Sequence, residues 1–188
     1  MTLTTLDPRT ALLVVDLQKG ILGSSFAPPV GEIVARARAL IDTFRRLKLP
    51  VVLINVDGGA PGRTEQPRRH DGPLPADFTD FVPELDRQLG DIVVTKRTWG
   101  AFANTDLESQ LKDRGVTQVV IAGVATGAGV ESTARQAYEA GFNVTLAVDA
   151  MAGTRPGTHD YCLRNVFPRL GETGTTQEII DLLAARSA

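Results

Sequence analysis

The 188-residue chain carries one cysteine, two histidines and one tryptophan, and each scarcity removes a class of function. A lone thiol, Cys162, excludes an internal disulfide and any cysteine-only metal cage. His70 and His159 are too few and too scattered to frame a histidine metal site, so neither a metal nor another cofactor is expected. The formal charge of −2 and the pI near 5.7 offer no basic excess for nucleic acid or an anionic membrane surface. No apolar run approaches the ~20 residues of a membrane span. The first ten residues lack the basic start and apolar core of a signal peptide. A cytoplasmic protein acting on a small molecule is the resulting expectation. What the chain has in quantity is apolar residues, 43%, enough for one domain over residues 1–188 with a full core.

The apolar residues fall into alternating short runs and longer periodic stretches. Residues 11–15 (ALLVV), 51–56, 91–95, 118–122, 143–148 and 172–175 read as strands, most of them apolar throughout, as in a parallel sheet covered on both faces. Between 31 and 48 the residues Ile33, Val34, Ala37, Leu40, Ile41, Phe44 and Leu47 recur at three and four, a helical stripe ended by Pro50. Further helices are expected from Asn104 or Thr105 to Arg114, and over 130–140, 159–169 and 176–185, with Gly141 stopping the second of these. Residues 57–81, rich in Gly, Pro, Arg and Asp, read as a long loop able to cover a site. Strand and helix in alternation predict a parallel sheet with right-handed crossovers.

Ligands of such sheets bind beyond the carboxyl ends of the strands. Asp16, Asp57, Lys96, Thr126 and Asp149 are expected just past those ends. Asp16 and Lys96 follow different strands and are candidates to meet as a charged pair, either catalytic or merely structural. Gln18 and Trp99 lie close to them in sequence, and Phe26 and Phe102 offer apolar walls. The segment 119–135, VVIAGVATGAGVESTAR, reads as strand, tight turn and helix start, where α/β enzymes place reactive groups. Gly129 stands where a nucleophile is expected.

The elements Asp16-Leu17-Gln18, Lys96 to Phe102 with Thr105 to Leu107, and Gly123 to Thr126 running into Val130 to Arg135 resemble the isochorismatase-like, or cysteine hydrolase, superfamily. The resemblance extends over nearly the whole chain, through Ala147 to Ala150 and Phe167 to Gly171. It implies a six-stranded, mostly parallel sheet with helices on both faces, a Rossmann-type three-layer sandwich, assembled as a homodimer or higher homo-oligomer. In the thiol members an aspartate, a lysine and a cysteine act together on an amide or related carbonyl. Asp16 and Lys96 match the first two, and Gly129 occupies the cysteine position. The nicotinamidase metal site is unmatched as well, because Gly58, Gly59 and Ala60 follow Asp57 in place of histidines. The resemblance also implies a cis peptide between Val124 and Ala125, and a substrate-binding turn from Thr126 to Val130 whose amides favour a carboxylate or an oxyanion.

Members without the cysteine imply a chemistry that needs no thiol, cleavage of a vinyl ether with an aspartic acid protonating carbon. Asp16 is then the acid, and Lys96 either binds a substrate carboxylate or positions the acid. The expectation contains a tension, since an ammonium lowers the pKa of the group that must hold a proton. Three rivals stand beside it. Gly127-Ala128-Gly129 with Asp149 some twenty residues on approaches a dinucleotide fingerprint but lacks its third glycine. Cys162, one helical turn from His159, is a candidate displaced nucleophile or a plain core residue. A noncatalytic member that binds a small acid or a partner protein is the third.

Overall fold

In a computed structural model, which describes residues 3–23, 25–66 and 73–186, six strands form one sheet: β1 (Thr10–Val15), β2 (Val51–Val56), β3 (Ile92–Lys96), β4 (Gln118–Val124), β5 (Asn143–Ala152) and β6 (Glu172–Gly174). Their order is β3-β2-β1-β4-β5-β6, and all five pairings are parallel. The chain steps outward from β1 to β3 and then returns to the other side of β1, so the order reverses at the β1–β4 seam. A crevice opens there because the loops leaving the two strands turn apart.

Alternation along each strand sends side chains to two separate cores. Leu13, Val15, Val52 and Ile54 face α3 (Leu107–Asp113) and α4 (Glu131–Glu139), together with the helical segment that begins at α5 (Thr158–Tyr161) and continues to Arg169. Leu12, Val14 and Leu53 face α2 (Val30–Arg46) and α6 (Thr176–Ala185). A short α1 (Lys19–Leu22) follows β1. On α2 the expected stripe is buried from Ile33 to Phe44, leaving Arg36, Arg38 and Arg46 at more exposed positions. Thr175 and Glu178 cap α6 reciprocally. Among the described residues, no helix is long and apolar enough to cross a membrane.

β3 and β4 run one and two residues past their expected ends, and β5 four, the last with consequences for the site. β5 does not stop before Asp149 but continues to Ala152, its register against β4 shifting between Ile121 and Gly123. Asp149 therefore lies inside the strand, where its carboxylate accepts from the Thr176 amide and hydroxyl at 2.7 and 2.9 Å, and meets Arg36 at 3.5 Å. It anchors α6 and leaves the site. Extra residues in a strand bulge are hard to read from apolar periodicity, because the bulge breaks the period of two.

Candidate active site

Asp16 ends β1 with a positive φ of 53°, its amide still bound to Ile54 O at 2.9 Å. Aspartate tolerates this left-handed turn better than most residues, at a cost of order 1 kcal/mol. The turn drops the carboxyl into the seam instead of continuing the strand. β4 approaches unusually closely there, since a Cβ on Gly123, whose φ is 111°, would lie 2.1 Å from Val15 O. Glycine is required at that point by contact and by backbone angle alike.

Lys96, at the end of β3, reaches across the end of β2 and is 1% exposed. Its ammonium donates to Asp16 Oδ2 at 2.9 Å, Trp99 O at 2.8 Å and Thr98 O at 3.3 Å. Three acceptors occupy its three protons, so no donor is left for a substrate carboxylate. The ammonium thereby fixes the orientation of the Asp16 carboxyl. The other carboxyl oxygen, Asp16 Oδ1, is buried and has no hydrogen-bond partner among the described residues. Burial pushes the Asp16 carboxyl up to about 6, outweighing Lys96, whose charge and hydrogen bond pull it down. Burial thus opposes the pull of the ammonium and eases the tension present in the sequence.

Gly129 faces this carboxyl directly. A Cβ built there would stand 2.9 Å from Asp16 Oδ2, 3.1 Å from Val124 O and 3.1 Å from a Val15 methyl. Asp16 thus occupies space that a side chain at 129 would need, and Lys96 holds it there. The turn itself begins after a cis Val124–Ala125 peptide, as the resemblance implies, and runs from Thr126 to Val130 with a non-helical kink at Gly127. Two of its amides are turned inward, Ala128 N and Val130 N both donating to Ala125 O at 2.9 and 3.2 Å. Val130 is fully buried in the core and Val124 is equally enclosed, so neither side chain is presented to a ligand. Ala125, Gly127 and Ala128 remain partly accessible.

The other expected contacts divide. Gln18 is fully enclosed, its amide donating to Val56 O at 3.0 Å and Phe78 O at 2.8 Å while its oxygen accepts from Val56 N at 2.7 Å. It ties β1 to the end of β2 and to the long loop, with no donor left for substrate. Phe26 is half-buried against the α2 core. Phe102 packs on Phe142 with ring centroids 5.9 Å apart. Trp99 gives its carbonyl to Lys96 and leaves its indole 70% exposed beside the site. Asp57 pairs with Arg97 at 3.1 Å in an exposed contact. In the long loop, Arg155 donates to Gln66, joining the loops that follow β2 and β5 on opposite sides of the β1–β4 seam. Arg68, Arg69 and His70 lie outside the described residues.

Sequence reasoning missed two residues. Thr133, fully buried on α4, donates to Gly129 O at 2.7 Å and accepts from Ala101 N at 3.2 Å. One hydroxyl thus couples the glycine turn to the loop whose carbonyls hold Lys96. His159 pairs with fully buried Thr126 through Nδ1 and Oγ1 at 3.0 Å, and burial lowers its pKa. Helix α5 therefore packs on the turn, although its motif lies far along the chain. A Cβ on Gly127 would strike the Thr158 methyl at 2.1 Å. Cys162 is not paired with His159, since its thiol donates to Glu131 Oε2 at 3.3 Å, and burial pushes its pKa up to about 12. A thiol so protonated is a poor nucleophile.

The isochorismatase domain model matches residues 10–178. The chain is 41% identical over 179 residues to the isochorismatase family protein YwoC of Bacillus subtilis, covering 92% of this chain and 93% of that protein. It is 32% identical over 171 residues to nicotinamidase 3 of Arabidopsis thaliana, covering 85% and 83% respectively. An isochorismatase family protein from Burkholderia thailandensis superposes with a TM-score of 0.91 at 37% identity, covering 96% of this chain and 98% of that one.

Proposed function

The chain belongs to the isochorismatase family of hydrolases, and from that premise we propose that it hydrolyses a small carboxylated vinyl ether with Asp16 as general acid and no covalent intermediate. The single observation that carries the reading is the asymmetric carboxyl: Oδ2 is fixed by Lys96, whereas Oδ1 is buried and unpaired among the described residues. A proton on Oδ1 removes the buried charge at that atom and leaves Oδ2 as the acceptor the ammonium needs. With a pKa of about 6, roughly a tenth of the molecules hold this proton at pH 7.

The chemistry is balanced without a thiol. Oδ1 gives its proton to the terminal vinyl carbon, the electron pair of the double bond forms the new C–H bond, and the adjacent carbon becomes an oxocarbenium ion. Water adds to that carbon, and the resulting hemiketal expels the alcohol as it collapses to the ketone. The carboxylate left on Asp16 is stabilised by Lys96 until it is reprotonated from solvent. An amide, by contrast, demands a nucleophile at the carbonyl, and position 129 has none.

The test is a substrate panel of isochorismate, nicotinamide and a carbamoyl amine with the wild type and Asp16→Asn. Release of ketone from the vinyl ether by the wild type, reduced about a thousandfold by Asp16→Asn, is the expected result. Saturable binding of all three without any product favours the alternative, a noncatalytic small-ligand binder.

A further inference from the structure

At the amino edge of the sheet, opposite Asp16, lies a cleft of about 610 Å³ whose charged lining is Arg9, Arg45, Lys48, Arg114 and a single carboxylate, Asp91. Arg9 precedes β1, Arg45 and Lys48 end α2 and follow it, and Arg114 follows α3, so three separate parts of the chain bring cations to one place.

The one acid present is already engaged. Asp91 is 3% exposed at its side chain and accepts from Arg45 Nε at 3.1 Å, from Arg45 Nη2, and from Gln88 N at 2.8 Å. Arg45 Nη1 is buried with no hydrogen-bond acceptor among the described residues. The nearest outside carboxylate is Asp42, 3.9 Å from that nitrogen, and Arg38 holds it through both oxygens at 2.8 and 2.9 Å. The Lys48 ammonium makes no hydrogen bond or ion pair among the described residues. Arg9 and Arg114 each donate to a carbonyl, Arg114 O at 3.4 Å and Gln110 O at 2.7 Å, and neither meets a carboxylate.

Helix ends explain part of this charge and leave the rest. The carboxyl termini of α2 and α3 each contribute roughly half a negative charge, which with Asp91 makes about two negative charges against four cations. About two positive charges stay uncompensated in a concave surface, in a chain whose net charge is −2. Three cations without carboxylate partners around one concave surface are an arrangement that an anion completes.

We propose that this cleft binds a small multivalent oxyanion of the phosphate or polycarboxylate type, at a site separate from the Asp16 seam. Two or more negative charges match the surplus, and oxygens at more than one position match cations arriving from Arg9, Lys48 and Arg114.

Isothermal titration of the full chain with pyrophosphate and with citrate, against sodium chloride at matched ionic strength, tests this. The expected result is saturable binding of at least one of the two anions, the tighter of the pair identifying the source. Affinity falls about tenfold for each cation removed in Arg9→Gln, Lys48→Gln and the double variant, and is unchanged in Asp16→Asn. Arg9 and Lys48 are exposed, so thermal melts of these variants should overlay the wild type. The proposal is overturned if neither anion saturates at millimolar concentration, if the double variant binds as tightly as the wild type, or if Asp16→Asn abolishes binding.

Discussion

Asp16 and Gly129 are a matched pair: the carboxyl lies 2.9 Å from where a Cβ on residue 129 would sit. Gly129→Ala should therefore displace the acid and lower kcat/KM about a hundredfold, as small misplacements of catalytic groups do. A thiol side chain at 129 meets the same Asp16 oxygen, together with Val124 O and a Val15 methyl at 3.1 Å. Gly129→Cys is expected to gain no nicotinamide turnover while losing vinyl-ether turnover; amide hydrolysis appearing in that variant would show that the carboxyl yields easily. Cys162 has the opposite character, enclosed and held to Glu131 with a pKa raised to about 12. Iodoacetamide at pH 8 should leave turnover intact, and Cys162→Ala should retain full kcat; inactivation by either would return the thiol to the mechanism. That Asp16, Lys96 and Gly129 gather at one edge of the sheet was legible in the sequence, because each lies at or just past the end of an apolar run. The seating of Asp16 against Gly129 was not, since it depends on a positive φ at Asp16 and on a contact at Gly123 with no room for a side chain, which no periodicity encodes.

Between elements, the glycine turn and the β3 loop are joined by the Thr133 hydroxyl, which bonds Gly129 O and Ala101 N. Thr133→Val keeps the shape and strands both backbone groups, at a cost of about 1–3 kcal/mol for a buried unsatisfied partner. Urea denaturation should register that loss, kcat should fall with KM little changed, and Thr133→Ser should recover both. A stability loss with normal kcat would make the residue structural only. Strands and helices themselves were readable where apolar runs or a period of 3.6 were uninterrupted, as in β2 and α6. The reading failed where tertiary contacts decide the outcome. β5 continues past Asp149 through a bulge, and α5 returns to the turn so that His159 meets Thr126. Gln18 and Val130 were placed by the sequence at the substrate, yet their hydrogen bonds are closed within the protein.

Across the whole molecule, strand order is what makes one seam serve as the site. β1 and β4 are adjacent although residues 16 and 118 are far apart in the chain, and crossovers from both sides leave their carboxyl ends open. The sheet's opposite edge gathers cations, so the two ends of one fold differ in charge and in proposed ligand. The central claim is that a protonated Asp16, and no thiol, drives hydrolysis. Its most direct test is the pH dependence of kcat/KM for isochorismate in the wild type and Asp16→Asn. The acid is protonated below its pKa of about 6, so activity should be level at lower pH and fall about tenfold per unit above it, with Asp16→Asn about a thousandfold lower on the low-pH plateau and without that fall above it. Wild-type activity that rises with pH through this range, or an Asp16→Asn variant with undiminished turnover, would contradict the account.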